Sequence, residues 1–168
     1  MSAQPLESFC ATAEHVNAHC EAAGAAIALL HGIIPEFICL SAPNRPAQVS
    51  LPDQVPLVVS LDVAIAGLFA ALLQMDCRVV KLFGRRKSAR KIFDTTDLAA
   101  GFSRRDIKKA KRFFNFRSRA VFARLMAEDV SAAIEELAAM LIQDKAVTKA
   151  ALEQFRSQHE ALFTKEAL

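Results

Sequence analysis

The 168-residue chain has no Trp and no Tyr, and only 5 of its residues are Gly. It contains no Gly-rich phosphate loop, no G-x-S-x-G sequence and no sustained internal repeat. The local signatures of nucleotide-binding and serine-hydrolase sites are therefore missing. Adjacent carboxylates such as Glu135 and Glu136 diverge by about 100° on a helix, so they do not converge on a substrate. We expect no catalytic residue and no cofactor, and predict that the protein is not an enzyme.

The chain has four cysteines without paired spacing, Cys10, Cys20, Cys39 and Cys77. No secretory apolar segment opens the sequence, because Glu7 and Glu14 interrupt it. This pattern is typical of a cytoplasmic protein with reduced, buried thiols. A less favoured hypothesis is a zinc site whose ligands are Cys10, His15, His19 and Cys20. Cys20 points about 100° away from His19 on a helix, so we expect no metal site.

The most apolar segment, PLVVSLDVAIAGLFAALLQMDCRVV, is interrupted by Asp62 and Gln74. A membrane-spanning helix needs about 20 apolar residues in a row, so we predict no membrane span. The segment instead predicts a buried core helix over about Leu61 to Met75, with Ser60 and Asp62 as its N-terminal cap. The β-branched residues of the preceding VPLVVS predict a strand.

The remaining patterns predict a mostly α fold with a small β element. Residues 1–76 form an N-terminal helical region with a short β element, in which SAPNRPAQVSLPDQVP is a loop or edge segment. Residues 77–116 form a basic, helix-turn-helix-like segment. Residues 117–168 form a C-terminal helical hairpin, which we expect to be appended to one compact domain.

The hairpin would pair an amphipathic helix from Arg117 to Asp144 with a second from Thr148 to Lys165. Two paired helices leave part of each apolar stripe uncovered. We therefore expect a subunit interface, in a homodimer or with a second regulatory subunit. The residues in its seam would be Ile134, Leu137, Phe155 and Leu162.

The charges of the chain are segregated along its length. From Arg78 to Arg124 there are 16 Lys and Arg against 3 Asp and Glu, although the whole chain has a net charge of only +3. The remaining residues carry 5 basic and 15 acidic groups. A basic centre between acidic flanks indicates a surface that binds an anion.

The stretch GFSRRDIKKAKRFFNF, residues 101–116, concentrates this basic character. At about 100° per residue, its apolar members fall within an arc of roughly 120°, and its Lys and Arg fill the opposite side. Ser103 is a good N-cap. The pattern predicts a short helix with a cationic exposed face and an apolar stripe of Ile107, Ala110, Phe113 and Phe114.

A predicted helix over Arg85 to Ala99, a turn at Gly101 and this second helix match the helix-turn-helix order. One departure is Asp97, which stands where the motif usually has a small residue. In that motif the second helix enters the major groove of duplex DNA. The candidate DNA-binding residues are Ser103, Arg104, Arg105, Lys108, Lys109, Lys111, Arg112, Arg85, Arg86, Lys87, Arg90, Lys91, Arg117 and Arg119.

The alternative function is a non-enzymatic adaptor or chaperone. It would hold a protein partner with the C-terminal helices, and its basic face would bind an acidic protein or membrane surface. A solvated surface helix rich in lysine is the third interpretation of residues 103–116.

The order LVVSLDVAIAGLFAALL, a basic helix and then GFSRRDIKKAKRFFNF resembles the FlhC-like transcriptional regulators of integrating conjugative elements, distant relatives of the flagellar master activator. The matching residues are Gly101, Phe102, Ser103, Asp106, Ile107 and Arg112. The resemblance implies a DNA-binding transcriptional activator, carried on a mobile genetic element, that works with a second subunit. The four-cysteine zinc site of the flagellar protein is not matched here.

Overall fold

The computed structural model describes residues 12–41, 47–75, 93 and 103–164. Within these residues lie six helices, α1 (Ala13–Leu30), α2 (Leu57–Met75), α3 (Arg104–Leu125), α4 (Glu128–Asp144), α5 (Lys149–Gln158) and α6 (Glu160–Phe163). Three short strands accompany them, β1 (Phe37–Cys39), β2 (Gln48–Ser50) and β3 (Ala146–Thr148). The predicted mostly helical fold with a small β element is confirmed. Apart from Phe93, the helix predicted over residues 85–99 lies outside the described residues, and so does the predicted turn of the helix-turn-helix arrangement.

Helix α1 is the centre of the core, because it packs against α2 on one side and α4 on another. Its second half is buried almost all round, which its many alanines allow. Glycines bring α1 and α2 close together. A Cβ on Gly67 would lie 3.3 Å from the backbone oxygen of Cys20, and one on Gly24 would lie 3.1 Å from Val49 Cγ2. Gly24 therefore lets β2 and α2 approach α1 closely, and it does not end the helix.

Helix α2 begins four residues earlier than the sequence predicts. VPLVVS was predicted to be a strand, but from Leu57 it forms the first turn of α2, so that prediction is wrong. The β-branched residues are overridden by packing against α1 and α3. Among the described residues, Leu57–Gln74 is also the one stretch long and apolar enough to cross a membrane, and 39% of it is buried. A core helix of a soluble protein has the same length and composition.

The helix boundary predicted between residues 116 and 117 is wrong, because α3 runs without interruption from Arg104 to Leu125. The helix ends instead before Met126 and Ala127, and α4 starts at Glu128. Ala127 makes no side-chain hydrogen bond to the start of α4. Ordinary capping signals therefore do not mark this break in the sequence.

The three strands form one antiparallel sheet with β1 in the middle, in the order β2-β1-β3. Ile38 of β1 is opposite Val49 of β2 and Val147 of β3. The sheet thus ties the N-terminal half of the chain to a strand that follows α4. Lys145 has a left-handed conformation, with φ of 62°, and turns the chain from α4 into β3.

The C-terminal helices belong to the core of the single chain. The connection between α4 and α5 is strand β3, and α4 packs mainly against α1. The four residues predicted for the seam of a subunit interface are buried within the chain, so their placement in an interface is corrected: Ile134, Leu137, Phe155 and Leu162.

A buried ion-pair cluster joins α1, α2 and α3. Asp62 of α2 is 0% exposed, and Arg117 of α3 donates two hydrogen bonds to its carboxylate, one of them from Nε over 2.8 Å. His31 Nε2, at the end of α1, lies 2.8 Å from Asp62 Oδ2. Asp62 was predicted to be a helix cap, and this is wrong because it lies within α2.

The cluster compensates the cost of burying a carboxylate. Burial alone would raise the pKa of Asp62, but the hydrogen bonds and charges of Arg117 and His31 hold it below its ordinary value of 3.8. In turn, the hydrogen bond to Asp62 raises the pKa of Arg117. The ion pair therefore keeps the buried Asp62 carboxylate ionised.

Replacing Arg117 with Met should lower the free energy of unfolding by about 3–5 kcal/mol, because a buried carboxylate would be left without its partner. Arg112→Met, on the exposed face of the same helix, is the matched control and should cost within about 0.5 kcal/mol. Urea unfolding measures both. Adding Asp62→Leu to Arg117→Met should recover part of the loss. Equal losses for Arg117→Met and Arg112→Met would contradict the structural role of the pair.

Glu21 of α1 has the opposite environment. Its carboxylate is half-buried and has no hydrogen-bond or ion-pair partner among the described residues. Burial raises its pKa from 4.5 to about 7. Between these two pH values the native state binds more protons than the unfolded state, so stability falls as the pH rises.

The variant Glu21→Gln should remove this part of the pH dependence. Stability gained from protonated Glu21 is fully present below pH 4.5 and is lost as the pH rises through about 7. Urea unfolding at several pH values should show a smaller decline for Glu21→Gln than for the unmodified protein. Glu128→Gln, at an exposed position at the start of α4, is the matched control and should leave the decline unchanged. An identical decline in the Glu21→Gln protein would show that this carboxyl does not titrate in that range.

Candidate nucleic-acid interface

Helix α3 starts where the sequence predicts, at an N-cap formed by Ser103. Ser103 Oγ accepts a hydrogen bond from the backbone nitrogen of Asp106 over 3.2 Å and donates to Asp106 Oδ2 over 2.6 Å. The predicted cap is confirmed. Asp106 accepts the hydrogen bond of the Ser103 hydroxyl, so Ser103 has a capping role. Its assignment as a DNA contact stays a prediction.

The buried side of α3 fixes how the helix is rotated about its axis. Phe93 packs edge-on against Phe114, with ring centroids 5.4 Å apart, and Phe122 lies 5.4 Å from Phe69 of α2. Ile107 is half-buried against the same core. The fully buried residues of α3 are Ala110, Phe114, Ser118, Val121 and Leu125. The opposite side of the helix therefore faces outward.

The outward side carries a cationic face, defined as Arg104, Arg105, Lys108, Lys109 and Arg112. All five are exposed, and no carboxylate within the described ranges forms an ion pair with any of them. In contrast, Lys145 pairs with Glu14 and Lys149 with Glu36. Unpaired like charges on one face repel each other, and a bound anion relieves that repulsion.

The remaining predicted residues divide into three groups. Arg117 was predicted to contact DNA, but its guanidinium is bound to buried Asp62, so this prediction is wrong. Lys111 is half-buried and Arg119 is exposed, and both already interact within the chain. The other five lie outside the described residues: Arg85, Arg86, Lys87, Arg90 and Lys91.

Beside the cationic face lies an apolar groove between the start of α2 and the middle of α3. Phe113 was predicted to be buried but is 53% exposed, and Phe116 is 71% exposed. Val58 of α2, at 41%, completes the exposed rim. The groove has a volume of about 420 Å³ and is lined by Leu57, Val58, Leu61, Ala110, Phe113, Phe116 and Arg117.

The residues of the less favoured zinc hypothesis do not form a metal site in the described part of the chain. His15 and His19 stack with ring centroids 4.2 Å apart. However, His19 Nδ1 lies 2.8 Å from the His15 carbonyl oxygen, and His19 Nε2 lies 2.9 Å from Glu135. Burial, followed by the charge of Glu21, raises the pKa of the Cys20 thiol to about 11, which disfavours the thiolate that zinc needs. Cys10 lies outside the described residues.

Comparison with known proteins gives no family and no relative. The chain matches no protein-family model, no curated protein and no solved structure. The resemblance to FlhC-like regulators therefore stays a prediction.

The capping role of Ser103 predicts that Ser103→Ala lowers the free energy of unfolding by about 1 kcal/mol. Ser103→Asn should retain most of the stability, because Asn also accepts the hydrogen bond of the first turn. Thermal and urea unfolding compare the two variants. If Ser103→Ala is as stable as the unmodified protein, the hydroxyl does not cap α3 and its hydrogen is free for another partner.

Proposed function

We propose that the protein binds DNA through the cationic face of α3 and regulates transcription. The observation that supports this most directly is the set of five exposed, unpaired cations on one side of one helix in the described part of the chain. A phosphate backbone carries a regular series of negative charges, and Lys and Arg that neutralise them release counterions. Two paired lysines elsewhere, Lys145 and Lys149, show that this chain places acidic partners beside cations on other surfaces.

Helix α3 also has the shape that duplex DNA requires. Its 22 residues extend about 33 Å, and the major groove is wide enough for an α-helix. Arg104 and Arg105 occupy the first turn, where the helix dipole adds positive potential. Arginine is the side chain that pairs most often with guanine, so these two residues are our candidates for base contacts, while the lysines hold phosphates.

The adaptor function receives less support from the fold. It relied on an uncovered apolar stripe along the C-terminal helices, but Leu137 and Phe155 are buried inside the chain. A transcriptional activator that works with a second subunit, as the resemblance implies, remains our proposal for the biological role.

DNA binding by this face should weaken steeply with salt. For contacts to about 6–10 phosphates, affinity for duplex DNA should fall by about 10³-fold or more between 50 and 200 mM salt. Fluorescence anisotropy with a labelled random duplex measures this. A flat salt response, or no binding at the lowest salt, would reject the proposal.

The double variant Arg104→Ala/Arg105→Ala should reduce affinity by about tenfold or more, because each good base pairing contributes about 1–3 kcal/mol. The control Lys145→Ala/Lys149→Ala removes the same charge from another surface and should bind nearly as well as the unmodified protein. Equal losses in the two double variants would show that binding depends on net charge alone. Unfolding of the arginine variant would show that these residues are structural.

A further inference from the structure

The groove beside the cationic face is unusual for the surface of a single chain. Of the large hydrophobic residues that are exposed in the described part of the molecule, Val58, Phe113 and Phe116 all border it, and only Met126 lies elsewhere. Exposed apolar side chains that cluster in one place generally mark a contact site. The groove, at about 420 Å³, is in the size range of sites that hold a small molecule or a flat ring.

The charge around the groove indicates what it binds. Residues four apart share one side of a helix, so Lys109 lies one turn before Phe113 and Arg112 one turn before Phe116. Arg117 lines the groove, but its charge is balanced by Asp62 beneath it. The groove is therefore apolar and electrically balanced inside, and its unpaired cations lie along its rim.

This arrangement disfavours a second copy of the chain as the occupant. A two-fold contact through the groove would bring the cations of one protomer against those of the other. It favours an anionic polymer that carries flat apolar rings at regular intervals. Single-stranded DNA has this chemistry, because its phosphates bind cations and its exposed bases stack on aromatic side chains.

We infer that the groove takes an unpaired base, which stacks on Phe116 and Phe113 while Lys109 and Arg112 hold the adjoining phosphates. This inference rests on the proposed function and names its preferred substrate, DNA with unpaired bases. In a perfect duplex the bases are stacked on one another, so the rings of Phe113 and Phe116 gain no base contact. The Asp62–Arg117 pair fixes one wall, so the groove exists before DNA binds.

The absence of Trp and Tyr from the chain gives a direct test. The variant Phe116→Trp places a single fluorescent indole at the rim of the groove. It is titrated with single-stranded oligothymidylate of about 16 nucleotides, with a matched duplex of the same length and with vesicles of phosphatidylserine and phosphatidylcholine. We expect the single strand to quench the introduced indole and to bind at least about fivefold more tightly than the duplex.

Fluorescence anisotropy on variants that lack the introduced Trp completes the test. Phe116→Leu keeps the apolar character and removes the ring, and Phe113→Ala removes the neighbouring ring. Each should weaken single-strand binding by about 5- to 150-fold and leave duplex binding nearly unchanged. Met126→Ala, an exposed apolar residue outside the groove, should have no effect on either.

The outcomes separate this inference from the proposed function. Salt-dependent binding of both DNAs, without a preference for single strands and without an effect of the Phe variants, would overturn the inference and leave the proposed function standing. No salt-dependent binding to either DNA would overturn both. A response of the introduced indole to the anionic vesicles alone would show that the groove takes a lipid and would also overturn the inference.

Discussion

The buried ion pair between Asp62 and Arg117 is the constraint on which the arrangement of α3 depends. A carboxylate with no exposed surface is stable only beside a cation and hydrogen-bond donors. The guanidinium of Arg117 must therefore point into the protein, toward α2. Lys109, Arg112 and Phe116 lie about 80° to 140° from Arg117 in helical position, on the side away from buried Ser118, and so they point outward. One buried contact thus fixes the cationic face and the groove together.

In the rest of the described chain, apolar residues are packed in the core and other exposed lysines are paired. Small residues let α1 and α2 pack closely, and the three-stranded sheet ties the chain near β1 to the strand after α4. Lys145 and Lys149, beyond α3, pair with glutamates, and the C-terminal helices bury their apolar residues in the core. In the described residues, the exposed cations without an ion-pair partner and most of the exposed large hydrophobic residues therefore lie on one side of α3 and the adjoining start of α2. This concentration, rather than the modest net charge, is the basis of the proposed function.

The start of α3 and most of its buried side are predicted by the sequence, because their causes are local. The start of α3 follows from the Ser103 cap, and the apolar spacing around Ala110 and Phe114 predicts which side is buried. The same spacing places Phe116 about 180° from Ile107, so its exposure on the basic face was accessible from sequence. The role of Asp62 was not accessible from the sequence, because its partner Arg117 lies 55 positions away in the chain. Strand β2 lies within the segment 41–56 that was predicted to be a loop or edge segment, and it is an edge strand. Strands β1 and β3 were not predicted, because three residues carry too little periodicity and the pairings that stabilise them are distant.

Lysine footprinting tests the central claim most directly, because the chain carries its own internal controls. The extent of lysine acetylation is measured by mass spectrometry at low salt, with and without a saturating concentration of DNA oligonucleotide. The account predicts strong protection of Lys108 and Lys109 on α3. Lys145, at the turn before β3, and Lys149, at the start of α5, are also exposed and should keep their reactivity. Protection of Lys145 and Lys149 instead, or no protection at any of the four, would contradict it.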